Sequence, residues 1–389
     1  MRIERGHFED HRLFVLWLLR QAVKLQQSKG ETRSPGAQKV DAADSQKVEP
    51  PDGEHPPFYQ EEIAWLLNES GTLNLVQGRL TDAIGLLQAA QAAASRIETE
   101  ETGAIRTRIG LNQAVVQIER GRFPAARQRL TTIVRTEGEH PVIPLIATGY
   151  LGLIDHLTGN LGQAKRYYQV AIHGWNFDKP DEESIGLVAL GRSRAASIFY
   201  RHYGDLLLLE SNYKDARLAI DQAINLAREG GHEDVCHLAQ LSQIRLELTE
   251  KSPADLRDVF TELNNVSAYA RMVGMPRTIC EVEALRAQAL RSVGDLRGAS
   301  AAALQGLEVS TRHDLKLRKA IAVISLAEIS DLQKLDTVTA PLIEAALEIA
   351  RDTNFYNAMS RAQQLQARVA EARYGAHGRP SGDQRFFLR

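Results

Sequence analysis

Apolar residues recur every three or four positions along most of this chain, which is the spacing of the buried face of an amphipathic α-helix. The pattern runs almost without interruption over residues 58–374. A separate stretch, residues 8–28, has the same spacing and carries Leu13, Leu16 and Trp17 on one face. Aromatic residues make up only 6% of the chain while alanine and leucine are plentiful, which favours closely packed helices over sandwiches or barrels. The sequence therefore predicts an all-α protein.

Two segments lack this pattern. Residues 29–57 are polar and rich in proline, and they contain too little apolar surface to offset the entropy of ordering, so we expect a flexible linker. Residues 375–389 have loop composition and are expected to form a disordered tail. The linker would tether an N-terminal segment, residues 1–28, to the helical region. Its amphipathic helix either caps the apolar face of the first helices or docks onto a larger complex.

A short turn motif recurs between the predicted helices. A glycine or serine is followed by a polar residue, then an apolar one, with alanine five positions after the start; the copies begin at Gly78, Gly121, Gly159, Ser211 and Gly294. A degenerate copy lies near residues 251–256, and a seventh turn is expected near residues 335–336. Small residues near helix ends form a second marker, Ala227, Ala270, Ser310 and Ala350, at steps of 43, 40 and 40 residues. Both markers indicate a repeat of about 40 residues.

Each period has room for two helices and two short loops. The glycine accepts a positive φ in the turn between the helices, and the small alanine lets the second helix cross the first closely. One such pair cannot bury its apolar face alone, so stability requires neighbouring pairs to stack. The sequence therefore predicts an α-solenoid of about seven helix pairs.

The repeat resembles the tetratricopeptide repeat. The best copy, residues 150–172, has the residues typical of that family: Leu151, Gly152, Gly159, Ala164, Tyr168 and Ala171. The period exceeds the 34 residues of the common repeat. It is similar to the longer repeats of kinesin light chains and of bacterial sensor arrays, including those of signal-transduction ATPases and LuxR-type activators; residues 216–231 are especially similar. The resemblance implies a right-handed solenoid that binds a peptide, protein or small effector on its concave surface.

The register of the resemblance nominates residues for that surface. Polar residues on the first helix of each pair would line it: Asn68, Thr72, Arg108, His156, Arg201, Asp205, Glu281, Gln288 and Arg291. Their mixed charges favour a polar peptide or protein segment as the partner. Asn68 lies near a position of the family's carboxylate clamp for chaperone tails, but the accompanying lysines are missing, so we do not expect that ligand.

Charge and cysteine content narrow the choice of partner and compartment. The formal net charge of −2 gives no positive field for phosphate backbones, so no direct nucleic-acid partner is expected. The longest apolar run near the N-terminus, residues 14–19, is too short to span a bilayer and lacks a cleavage site, which predicts a cytoplasmic protein without membrane insertion. Cys236 and Cys280 lie about one repeat apart without CxxC spacing, so we expect two buried free thiols.

Motifs that carry chemistry are few. His232 and Cys236 share an i, i+4 spacing, but no second ligand pair accompanies them, so no metal site is expected. The sequence contains no GxSxG, HExxH, GxGxxG, EF-hand or GxxxxGK[ST] motif, and we expect no catalytic residues, cofactor or nucleotide-binding domain.

The sequence as a whole favours a non-enzymatic binding scaffold, an adaptor or sensor in bacterial signalling or regulation. One alternative is a structural or regulatory subunit of a larger complex that docks through the N-terminal helix and the solenoid edge. Another is an enzyme with an unrecognised site.

Overall fold

The computed structural model describes residues 57–96, 102–135, 142–174 and 187–376, and within these ranges the chain forms fifteen α-helices and no strand. The helices are α1 (Pro57–Val76), α2 (Leu80–Ala94), α3 (Thr102–Glu119), α4 (Phe123–Arg135), α5 (Val142–Leu157), α6 (Leu161–His173), α7 (Leu187–Leu209), α8 (Tyr213–Glu229), α9 (Glu233–Glu250), α10 (Arg257–Val273), α11 (Pro276–Ser292), α12 (Leu296–Arg312), α13 (Lys316–Leu332), α14 (Asp336–Thr353) and α15 (Tyr356–Ala376). The predicted N-terminal helix, and the linker and tail apart from their innermost residues, lie outside the described ranges.

Consecutive helices pack as pairs, α1 with α2 through α13 with α14, and α15 follows the seventh pair. Each odd-numbered helix also packs against the next odd-numbered one, from α1 to α15. The odd-numbered helices therefore form one continuous inner layer, and the even-numbered helices flank it. The predicted all-α solenoid is confirmed.

The turns within the pairs explain the repeat motif. Gly78, Gly121, Gly159 and Gly294 all have positive φ, as the sequence predicted, and the alanines five residues after the motif starts are fully buried: Ala83, Ala126, Ala164, Ala216 and Ala299. Ser211 adopts the same left-handed conformation without being glycine, at φ 59°. The degenerate fifth turn differs, because residues Pro253–Asp255 form a short 3₁₀ helix before α10 begins.

The solenoid curls so that helix pairs five repeats apart touch each other, which we call closure. A Cβ placed on Gly78, after α1, would lie 2.5 Å from the ring of Pro276 at the start of α11. A Cβ on Gly159, after α5, would lie 2.5 Å from the ring of Tyr356 at the start of α15. Only glycine permits approaches this close. The ends of the early odd-numbered helices therefore rest on the beginnings of the late ones.

Apolar and charged contacts hold the early and late helix pairs together. One buried cluster joins Leu111 and Phe123 of the second pair to Leu317 of α13 and Phe355 before α15. The Arg120 guanidinium lies 3.6 Å from the carboxylate of Asp314, which precedes α13. Part of the inner surface is consequently buried against the chain itself rather than open to solvent.

In the described ranges, no helix has the length and apolar character needed to cross a bilayer.

Candidate binding site on the inner surface

Five charged side chains from four consecutive odd-numbered helices meet on the inner layer. They are Arg201 and Asp205 of α7, Arg245 of α9, Glu281 of α11 and Arg318 of α13, which we call the inner charge cluster. Arg201 Nη2 donates to Glu281 Oε1 at 2.7 Å, and Arg245 Nη1 donates to Asp205 Oδ1 at 2.5 Å. Arg318 Nη2 lies 3.7 Å from the same Glu281 oxygen.

The repeat brings these residues together. Asp205 and Arg245 lie 40 residues apart, so they occupy equivalent places on neighbouring odd-numbered helices. Arg201 and Glu281 lie 80 residues apart, which is two periods, and Ser242 on the helix between them accepts a hydrogen bond from Arg201 Nε at 3.1 Å. Side chains one period apart therefore form a row across the inner layer, and in this row most of the side chains are charged.

The cluster is buried and ionised. The side chain of Arg201 is 3% exposed and that of Glu281 is 9% exposed. Burial raises the pKa of Glu281, but the guanidiniums of Arg201, Arg318 and Arg245 more than offset this and hold its pKa well below the ordinary range. The pKa of Asp205 is also lowered: Arg245 and Arg201 outweigh the effect of burial. Three guanidiniums thus face two carboxylates, with one net positive charge.

Two atoms of the cluster lack a partner. Glu281 Oε2 and Arg318 Nε are buried and make no hydrogen bond to any described residue. A buried polar atom of this kind costs stability unless another group pairs with it. Both atoms are shielded from solvent, so this cost belongs to the folded chain itself. The guanidinium of Arg245, whose side chain is 30% exposed, is the part of the cluster most open to a ligand.

Two neutral histidines adjoin the cluster. Burial lowers the pKa of His156 to about 4, against the opposing effect of Asp205. Burial and the nearby Arg201 also lower the pKa of His202 well below its ordinary value. Tyr168 connects the two, because its hydroxyl lies 3.4 Å from His156 Nδ1 and its ring stacks on that of His202 at 6.4 Å. At neutral pH both imidazoles are uncharged and act only as hydrogen-bonding groups.

The first helices carry a separate polar group. Asn112 of α3 donates to Asn68 Oδ1 and to Thr72 Oγ1 of α1, both at 2.9 Å. Asn68 is fully buried, so its amide ties α1 to α3. Arg108 of α3 lies 4.0 Å from Glu69 and is 54% exposed. Of this group, Arg108 presents the most surface to solvent.

A third polar group lies near the ends of α11 and α13 and along the first two-thirds of α15. Arg291 donates to Glu328, and Arg361 donates to both oxygens of Glu328 at 3.0 and 2.9 Å. With Arg368 and Leu332 these residues line a pocket of about 350 Å³, which we call the basic pocket.

No family model matches this sequence, and no curated protein matches it. Among solved structures, the fold is similar to that of the Rap protein complexed with competence and sporulation factor, with TM-score 0.54 and 14% identity over 82% of this chain and 90% of that one. It is also similar to NprR in complex with its cognate peptide NprX, with TM-score 0.52 and 13% identity over 80% of this chain and 86% of that one. The chain therefore has the fold of a tetratricopeptide-type solenoid.

The solenoid distributes the nine nominated residues over three places. Arg201, Asp205 and Glu281 join the inner charge cluster, with His156 beside them. Asn68, Thr72 and Arg108 lie in the group on α1 and α3. Arg291 lines the basic pocket, and the half-buried Gln288 lies one turn before Arg291 on α11 without lining that pocket. Contact of these residues with a partner stays a prediction.

Sequence reasoning missed several partners of these residues. Arg245 and Arg318 complete the inner charge cluster, and Asn112 completes the group on α1 and α3. The repeat period was the available signal for Arg245 and Asn112, which lie 40 residues after Asp205 and Thr72. Arg318 carried no such signal, since its distance from Glu281 is not a whole period.

The cysteines and the His232 motif lie apart from the three groups. Both cysteines are free; Cys280 is buried as expected, whereas Cys236 is only half-buried, because its helix face is not fully covered. His232 Nε2 lies 3.0 Å from Ser193 Oγ. Over the described ranges, no group of three or more His, Cys, Asp or Glu side chains is arranged to hold a metal ion.

Proposed function

We propose that this solenoid is a non-enzymatic adaptor or sensor that captures a peptide or protein segment on its inner surface. The observation that carries this proposal is the inner charge cluster, in which four consecutive odd-numbered helices bring three guanidiniums and two carboxylates to one point. A peptide segment offers carbonyl and carboxylate acceptors, which are the complements of the exposed Arg245 guanidinium and of the cluster's net positive charge.

The electrostatics of the cluster favour binding over catalysis. A general acid or base works best when its pKa lies near the working pH. Arginine neighbours keep the pKa of Glu281 and of Asp205 below the ordinary carboxyl range, so both stay ionised at neutral pH. The pKa of His156, about 4, keeps that imidazole neutral. Fixed charges of this kind orient a ligand but exchange no proton with it.

The similar structures add support at the level of the fold. NprR was solved with its cognate peptide and Rap with competence and sporulation factor, so two solenoids of this architecture each hold a partner. A preformed inner surface suits this role, because little ordering entropy is lost on binding.

The test is cross-linking mass spectrometry of the full chain in native lysate. The test variant is Arg245→Gln, which alters a cluster residue with 30% of its side chain exposed; the matched control is Arg312→Gln, whose side chain on α12 is 67% exposed. We expect the control to retain the cross-linked partners and Arg245→Gln to lose them, with circular dichroism confirming that both fold. Identical partner sets for both variants would contradict the proposal.

A truncation separates this proposal from docking through the N-terminal segment. Deletion of residues 1–56 leaves every described helix in place. Capture on the inner surface predicts that the same partners bind the truncated chain. Loss of all partners on deletion, with the solenoid still folded, would instead favour a subunit that docks through this segment.

A further inference from the structure

We infer that the basic pocket binds a carboxylate of an acidic peptide segment. The pocket is built by α11, α13 and α15, three consecutive helices of the inner layer, and has a volume of about 350 Å³. The inference rests on the proposed function, because it assigns a ligand chemistry to one part of the same inner surface.

Hydrogen-bond donors in the pocket outnumber the acceptors. Each guanidinium carries five N–H donors. Hydrogen bonds to Glu328 and Asp331 use one donor of Arg291, two of Arg361 and one of Arg368. Both oxygens of Glu328 are already engaged. The pocket is thus complementary to a ligand that brings acceptors.

The charge of the pocket indicates which kind of acceptor group it binds. Three guanidiniums face the carboxylates of Glu328 and Asp331, which leaves one positive charge in excess. Burial raises the pKa of Glu328, but Arg361 and Arg291 outweigh this and lower it, so the internal carboxylate stays ionised. A single carboxylate neutralises the excess and pairs with the planar guanidiniums in two-point geometry. A doubly charged phosphate would leave a net negative charge.

Apolar surface lies beside the arginines. Leu332 is 46% exposed at the pocket, and Leu365 lines the pocket while remaining 3% exposed. An aliphatic side chain next to the bound carboxylate would cover Leu332 and gain from the removal of apolar surface from water. The segment that fits best therefore has an acidic residue beside an aliphatic one.

The test uses two rhodamine-labelled peptides, one alternating glutamate with leucine and one alternating glutamine with leucine, both with amidated C-termini. Fluorescence anisotropy on the full chain should show that the acidic peptide binds at least about tenfold more tightly than the glutamine peptide. Hydrogen bonds to a charged group are stronger than those to a neutral one by enough to give this ratio. Arg361→Gln should abolish the preference, while Arg312→Gln on α12 should keep it. Repeating the measurement with a glutamine peptide whose C-terminus is free then shows whether the pocket also binds a terminal carboxylate.

A second variant guards against a merely structural effect. Glu328→Gln removes the native carboxylate that occupies Arg291 and Arg361, so the acidic peptide should bind several-fold more tightly than to the original chain. Damage to the fold would weaken binding instead. Equal binding of the two peptides to the original chain, or weaker acidic-peptide binding by a Glu328→Gln variant whose circular dichroism matches that of the original chain, would overturn the inference.

The two proposals fail in different ways. If Arg245→Gln abolishes partner capture while the original chain does not distinguish the two peptides, the basic-pocket inference fails and the proposed function stands. If the acidic peptide requires Arg361 while Arg245→Gln keeps all its cross-linked partners, the inner charge cluster fails as the capture site and the carboxylate pocket stands.

Discussion

Arg201 donates a hydrogen bond to Glu281 at 2.7 Å although the two residues lie 80 positions apart, so their pairing spans two full repeats. The pair connects α7 to α11 across α9, whose Ser242 and Arg245 contact the same two side chains. A solenoid is usually stabilised by contacts between adjacent repeats. This pair adds a link between repeats that are not adjacent.

The first prediction concerns the stability provided by this pair. Glu281→Gln should lower the free energy of unfolding by about 3 kcal/mol or more, because it leaves three guanidiniums of the cluster facing the single carboxylate of Asp205. Urea denaturation followed by circular dichroism measures the change. Glu308→Gln is the matched control, since its partner Arg312 lies four residues away on the same helix and both side chains are about two-thirds exposed. That exposed pair should matter little. Similar losses for the two variants would contradict the assigned role.

The second prediction is a loss of stability in mild acid. The pKa of His156 is about 4 in the folded chain against an ordinary 6.5, so between these values the unfolded chain binds a proton that the folded chain does not. The free energy of unfolding should therefore decrease as the pH falls from 6.5 towards 4, by at most about 1.4 kcal/mol per pH unit for this group. His202, whose pKa is also lowered by burial, acts in the same direction.

Urea denaturation at several pH values tests this. His156→Gln should flatten the slope between pH 6.5 and 4, and replacement of the exposed His173 by glutamine is the control. Below that range the lowered pKa values of Asp205 and Glu281 extend the loss, since protonation of either carboxyl removes a partner of the arginines. Parallel profiles for the original chain and His156→Gln would show that the imidazole does not sense the pH.

The helices and the turns within each pair were predictable from the sequence, because the residues that determine them lie close together along the chain. The turn at Gly78 needs a positive φ, and Ala83 must be small where two helices cross; both requirements act within a few residues and repeat with the period. The same period placed Arg201, Asp205 and Glu281 on one layer. Register alone was enough to bring this part of the candidate site together.

Closure of the solenoid was not predictable in this way. The carboxylate of Glu119 meets the Arg277 guanidinium at 3.1 Å only because small rotations between successive pairs accumulate over the chain. A repeat period does not encode that curvature. For the same reason the sequence did not show that Arg201 is almost fully buried, or that Asn68 faces Asn112 rather than solvent.

The third prediction separates the two thiols. Burial raises the pKa of Cys280 to about 12, so almost no thiolate is present at neutral pH, whereas Cys236 is half-buried. Iodoacetamide labelling of the native chain, read by peptide mass spectrometry, should modify Cys236 first. In urea both cysteines should react at similar rates. Equal labelling in the native chain would contradict the burial of Cys280.

The last prediction tests closure by replacing two glycines, for which we expect opposite changes in stability. Gly159→Ala should lower the free energy of unfolding by about 1–3 kcal/mol, because φ at this position is +87° and the new Cβ would lie 2.5 Å from Tyr356. Gly85→Ala should raise it by about 0.5–1 kcal/mol, since Gly85 is exposed within α2 and its Cβ would meet nothing within 4 Å.

Adding Tyr356→Ala to Gly159→Ala distinguishes the two costs at this contact. The smaller side chain relieves the clash with α15 but leaves the strained φ, so it should restore only part of the lost stability. Hydrogen exchange of the amides of residues 359–363, which are the first in α15 with an intrahelical acceptor, should increase in Gly159→Ala and stay unchanged in Gly85→Ala, because only the former disturbs the contact between α5 and α15. Unchanged exchange in both variants would mean that α15 folds without depending on the contact between Gly159 and Tyr356.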